Sequence, residues 1–106
     1  MKQIGTDTAT RIRARSSEVA GMLVAKNAAY GDSALRPVSI FSPGRASDLI
    51  RVRIDDKLSR IKNSPEAFGE DPIFDLLGYL ILRTLAVEDE AGAAVGRGLE
   101  NPAEED

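Results

Sequence analysis

The chain lacks several residue types on which common active sites depend. Its 106 residues include no Cys, no His and no Trp, and only 5% are aromatic. Without thiols or imidazoles, the protein cannot form a disulfide, a zinc–thiolate site, a cysteine nucleophile or a histidine base. The scarcity of aromatic rings also argues against a surface that stacks single-stranded nucleic acid. Any chemistry must therefore come from carboxylates, Lys, Arg, Tyr, Ser and Thr.

Basic and acidic residues are separated along the chain. The net charge is −3, yet residues 1–62 contain 12 Lys and Arg against 6 Asp and Glu, whereas residues 88–106 contain 1 against 7. This gradient is compatible with an anionic partner for the basic part. We expect a helical domain over residues 1–90, followed by an acidic flexible tail over residues 91–106.

Hydrophobic periodicity predicts three main helices and an all-α fold. Helix A is expected over Thr8–Tyr30, with Gly31 as the residue that ends it. Helix B is expected to start between Pro43 and Asp48 and to end near Lys62, with Ser42 or Ser47 as its cap. The two apolar faces consist of Ile12, Val19, Leu23 and Tyr30 in helix A, and of Ile50, Ile54, Leu58 and Ile61 in helix B.

A long loop joins these two helices, and its two prolines and its glycine exclude a long helix there. Val38, Ile40 and Phe41 are apolar, which indicates that the loop packs against the rest of the domain.

Helix C is expected over residues 71–88, starting at the capping pair Asp71–Pro72. Apolar residues cover almost its whole circumference, so it should be the central helix. Two neighbouring helices cannot cover so much apolar surface, and we therefore expect a homo-oligomer. Gly78 indicates a close contact with another helix, and Asp75 requires a cationic partner on so apolar a helix.

Four cations lie beside the predicted apolar faces. Lys26 is at the edge of the face of helix A, and Arg53, Lys57 and Arg60 follow one another at i, i+4 and i+7 on helix B. One interpretation is structural, with alkyl chains that cover the core and charges that pair with carboxylates or solvent. The other is a site in which these cations bind phosphates near Asp75 and Asp71.

Three motifs occur in order between Glu18 and Leu85: KNAAYGDS at 26–33, RVRIDDKLSRI at 51–61, and ED at 70–71 with DLLGYL at 75–80. Together they resemble the small helical phage proteins of the nucleotide modification associated domain 1 family. The resemblance implies a link to nucleotide metabolism. Because cations outnumber well-placed acids among the candidate residues, the first hypothesis is a protein that binds a phosphorylated nucleotide or nucleotide signal without catalysis. The candidate ligand-binding residues are Lys26, Tyr30, Asp32, Ser33, Arg53, Lys57, Arg60 and Asp75.

The layout is also similar to that of MazG-like all-α nucleoside triphosphate pyrophosphohydrolases, which bind Mg²⁺ with a Glu-x-x-Glu helix and a later Glu-x-x-Asp helix. That likeness implies an alternative function, Mg²⁺-dependent hydrolysis by Asp71, Asp75 and either Glu18 or Asp56, with Mg²⁺ as cofactor. Helix A offers one acid, Glu18, where this motif has two. A third hypothesis is a protein-interaction module whose charges are simply surface charges.

Location and partners can also be predicted from the sequence. The most apolar stretch, Leu76–Leu82, is too short to cross a bilayer, so no membrane partner is expected. We expect a cytoplasmic protein, located in the host cell cytoplasm if a phage encodes it. The expected partners are a small-molecule nucleotide and further copies of the chain, and nucleic acid is not expected.

Overall fold

The computed structural model describes residues 4–63, 69 and 71–100. These residues form three helices and no strand: α1 (Ile4–Ala29), α2 (Ala46–Asn63) and α3 (Pro72–Glu100). The prediction of an all-α fold with a long loop between the first two helices is therefore confirmed.

The ends of two helices differ from the prediction. α1 begins at Ile4, one turn before Thr8, and α3 continues to Glu100, about three turns beyond the expected end at residue 88. Alanines are frequent between residues 91 and 94, and no proline occurs in α3 after Pro72. The helix therefore continues through its glycines, although each costs about 1 kcal/mol relative to Ala. Residues 91–100 of the predicted tail are thus helical, while residues 101–106 lie outside the described part of the chain.

α3 is the helix on which the other two pack. Lys26 and Leu23 of α1 contact Asp75 and Gly78 of α3, so these two helices run antiparallel. Lys57 and Ser47 of α2 contact Asp75 and Glu90 of α3, which makes this pair antiparallel as well. Between the described residues of α1 and α2, no Cα atoms come within 8 Å of each other. The prediction that helix C is central is confirmed.

The core is small and lies mainly between α2 and α3. Ile50, Leu82 and Ala86 are buried in it, with Leu23, Ile54 and Tyr79 packed around them. Val19, on α1, is also buried. Three members of the predicted apolar faces, Ile12, Tyr30 and Leu58, are instead exposed. The single chain does not supply enough surface to cover all its apolar residues, which leaves these positions open.

Gly78 permits the close approach of α1 to α3. A Cβ atom added there would lie 3.1 Å from Leu23 Cδ1 and 3.4 Å from Met22 Cε. The first distance is shorter than ordinary van der Waals contact between carbon atoms. The expected close helix contact at this glycine is therefore present, and it is made within the chain.

A carboxylate from α3 holds the start of α2. Glu90 Oε1 accepts a hydrogen bond from Ser47 Oγ at 2.7 Å, and Oε2 accepts one from the Ser47 backbone N–H at 3.1 Å. Ser47 is therefore not a cap through its own side chain, because Glu90 satisfies a free N–H of the first turn instead. The Ser47 hydroxyl, the Ser47 backbone N–H and, more weakly, the charge of Arg45 hold the pKa of Glu90 below its usual value.

Candidate functional site

A pocket of about 460 Å³ opens between α1, the loop that follows it, α2 and α3. Leu23, Ile50 and Leu82 form an apolar part of its wall. Its polar lining includes two cationic, one anionic, two phenolic and three hydroxyl side chains: Lys26, Arg53, Asp75, Tyr30, Tyr79, Ser33, Ser39 and Ser42. A concave apolar site with a few convergent polar groups is the usual form of a small-molecule site, and the volume is in the usual range.

Asp75 is the electrostatic centre of this pocket. Its Oδ1 lies 3.4 Å from Lys26 Nζ of α1, and its Oδ2 lies 3.5 Å from Lys57 Nζ of α2. The side chains of Asp75 and Lys57 are 13% and 17% exposed, whereas that of Lys26 is 50% exposed. Asp75 thus has the cationic partner that its position requires, and the group of three residues carries a net positive charge.

The turn after α1 carries one wall of the pocket. The backbone N–H of Tyr30 still donates to Lys26 O, and Gly31 then adopts a φ of +65°, which ends the helix where predicted. Asp32, with a φ of +63°, continues the reversal, and its carbonyl accepts the Arg36 N–H. This local geometry directs Ser33 toward the pocket.

Five of the eight predicted ligand-binding residues line the pocket. They are Lys26, Tyr30, Ser33, Arg53 and Asp75. These residues come from α1, the loop, α2 and α3, and the fold brings them together across up to 49 positions of sequence. Among the described residues, Arg53 has no ion-pair partner, which leaves its guanidinium free to bind an anion.

The other three predicted residues do not line the pocket. Asp32 forms an exposed ion pair with Arg36 at 3.2 Å. Lys57 binds Asp75 opposite Lys26, and its Nζ is 6.0 Å from the centre of the Tyr79 ring. Arg60 is nearly one turn farther along α2. The structure therefore places Lys57 where it positions Asp75.

Four polar residues that line the pocket were not among the predicted ligand-binding residues: Asn27, Ser39, Ser42 and Tyr79. Tyr79 lies four residues after Asp75, so helical spacing places both side chains on the same face of α3. Ser39 and Ser42 lie in an irregular loop without periodicity. The expectation that this loop packs through Val38, Ile40 and Phe41 is wrong, because these side chains are 71, 73 and 95% exposed.

Carboxylates are too few in this site for a metal cluster of the usual kind. In the described ranges, no three acidic side chains are grouped so that they would hold a metal ion. Asp71 is used at the start of α3, where its Oδ1 accepts the N–H groups of Ile73 and Phe74. Glu18 pairs with Arg15 on the exposed surface of α1 at 3.0 Å.

The length and hydropathy of the helices bear on contact with a membrane. In the described part of the chain, no helix combines the length and the apolar character needed to cross a bilayer.

Comparisons with known proteins add no relative. No protein family matches the chain, and neither a curated protein nor a solved structure is similar to it. The pocket itself is therefore the basis for assigning a function.

Proposed function

We propose that this protein binds a phosphorylated nucleotide or nucleotide signal in the pocket around Asp75, and does so without catalysis. The observation that carries the proposal is the combination of cationic and phenolic side chains in one concave site. Arg53 and Lys26 provide charge for phosphate groups, and Tyr30 and Tyr79 provide flat rings for a base.

The balance of charge in the pocket supports an anionic ligand. Its one carboxylate, Asp75, is bound by two lysines, and Arg53 adds a further positive charge without a described partner. The hydroxyl groups of Ser33, Ser39 and Ser42 provide additional hydrogen-bond donors for phosphate oxygens. A phosphate near Arg53 would therefore meet more donors than acceptors.

The same balance favours binding over hydrolysis. A two-metal hydrolase ordinarily places several carboxylates around its Mg²⁺ ions. Of the four acids considered for that role, Asp71, Asp75, Glu18 and Asp56, only Asp75 is a pocket residue. The residues described do not fit a Mg²⁺ cluster, so binding without turnover is the better match to this pocket.

The proposal is tested by thermal stabilisation and calorimetry with a panel of nucleoside mono-, di- and triphosphates. Arg53→Ala should weaken binding of the best ligand by about 1.5–3 kcal/mol, roughly 10- to 100-fold in Kd. Arg51→Ala is the matched control, because Arg51 pairs with Asp48 and does not line the pocket.

Two outcomes would contradict the proposal. If no nucleotide stabilises the protein, and if mass spectrometry finds none released from the purified protein, the pocket does not serve this class of ligand. If Mg²⁺-dependent release of pyrophosphate accompanies binding, the protein is an enzyme and the hydrolase alternative replaces the proposal.

A further inference from the structure

α3 presents an apolar stripe on the face opposite its packed side. The packed side is marked by the buried residues Gly78, Leu82 and Ala86. The outer stripe consists of Ile73, Leu77, Leu80, Thr84 and Val87, at spacings of four, three, four and three residues. The four apolar members are between 40 and 57% exposed. Alternating spacings of three and four are the pattern of a coiled-coil seam.

The exposed surface of the chain is larger than a folded monomer of this size requires. A monomer of 11.4 kDa has an accessible surface of roughly 5,800 Å², whereas this chain exposes 8124 Å². The difference, about 2,300 Å², is comparable with what one subunit of an obligate homodimer buries. The outer stripe is a continuous part of that surface, and it contains no charged residue.

Two charged residues flank the stripe. Arg83 lies on one side and Glu88 on the other, and neither forms an ion pair with any described residue. They are five residues apart, which is the spacing at which the g position of one helix pairs with the e position of its neighbour in a parallel coiled coil. In an antiparallel pair centred on Leu80, Arg83 would lie opposite position 77 of the other copy and would not reach Glu88.

We infer that the outer stripe of α3 binds the same stripe of a second copy of this chain, with the two α3 helices parallel. The twofold axis runs along the seam, so Arg83 of each copy pairs with Glu88 of the other, and this pairing occurs twice. The pockets around Asp75 face away from the seam, so the inference does not depend on the ligand.

Sedimentation velocity of the full chain at 10–100 µM tests this inference first. The expected mass is about twice 11.4 kDa. Leu80→Glu should give a monomer, whereas Leu58→Glu, at a position of similar exposure on α2, should leave the dimer intact. A monomeric wild type overturns the inference and leaves the stripe to another partner. A dimer unaffected by a folded Leu80→Glu protein also overturns it.

The direction of pairing is tested by charge exchange and by cross-linking. Arg83→Glu should weaken the dimer by roughly tenfold, and the double variant Arg83→Glu/Glu88→Arg should restore it. Because the chain has no Cys, Ile73→Cys and Val87→Cys report contacts cleanly. In the parallel dimer each variant forms a disulfide with itself. Disulfides that form only when the two variants are mixed would indicate antiparallel pairing and overturn the proposed arrangement. This measurement decides the question even if Leu80→Glu does not fold.

Discussion

Replacement of Asp75 by Asn would remove the charge on which two lysines converge while keeping the shape of the side chain. Lys57 would then remain largely buried, 17% exposed, without an anionic partner. A hydrogen bond to a charged group contributes about 1.5–3 kcal/mol, and the distance of 3.5 Å favours the lower value. The half-exposed pair with Lys26 adds about 0.5 kcal/mol.

The expected loss is therefore about 2 kcal/mol in the free energy of unfolding, or a decrease of about 10 °C in Tm for a chain of this size. Urea denaturation and thermal melting of the ligand-free protein measure it, with Asp55→Asn on the exposed side of α2 as the control. Lys57→Met should cost more than Lys26→Met, because Lys57 is more buried.

Ligand affinity measured on the same Asp75→Asn protein distinguishes a structural role of Asp75 from a role in binding ligand or metal. If the pocket binds an anion without metal, loss of the carboxylate removes repulsion and frees two lysines, so affinity should hold or rise. A change in unfolding free energy below about 0.5 kcal/mol would refute a structural role for this carboxylate. Loss of affinity with unchanged apo stability would instead identify Asp75 as a ligand or metal group.

Three further outcomes follow from the packing. Glu90→Gln should destabilise the protein at neutral pH and flatten its acid-induced loss of stability. Because the pKa of Glu90 is lowered in the folded protein, its carboxylate contributes fully to the free energy of unfolding at pH values above its usual pKa of about 4.5. This stabilisation is lost as the pH falls through the lowered pKa. pH-dependent melting checks this against Glu88→Gln, and an unchanged acid profile would exclude the role. Gly92→Ala should stabilise α3 by about 0.5–1 kcal/mol, because the added methyl group would meet no atom within 4 Å beyond the adjacent backbone of its own helix. By contrast, Gly78→Val should cost about 1–3 kcal/mol through its contact with Leu23, and equal effects at the two glycines in urea denaturation would contradict this difference.

Local patterns predicted the elements of the fold better than the surfaces between them. Helical periodicity identified three helices, and Gly31 marked the end of α1, because both signals act within a few residues. A cationic partner for Asp75 was predicted, because an isolated charge on so apolar a helix costs free energy. The length of α3 was not predicted, because glycines and acids such as those after residue 88 are typical of a tail.

The candidate site was predictable only in part, because it depends on contacts between distant residues. Lys26, Arg53 and Asp75 were identified from their unusual positions beside apolar faces, and the fold does bring them together. The bond of Glu90 to Ser47 joins residues 43 positions apart and has no local signature. Apolar periodicity also cannot distinguish a face covered within the chain from one left exposed, which explains the errors at Ile12 and Leu58.

The absence of close backbone contact between the described residues of α1 and α2 bears on when the protein acquires its structure during synthesis. Both of the first two helices pack on α3, so a nascent chain that ends before Pro72 lacks the central helix of the fold. Residues of the core such as Leu82 and Ala86, and the Glu90 that holds the start of α2, belong to α3 and are made after both of the other helices. Folding of this domain should therefore wait until α3 has been made and has left the ribosome. Nascent chains stalled before α3 has left the ribosome should be as sensitive to protease as an unfolded peptide.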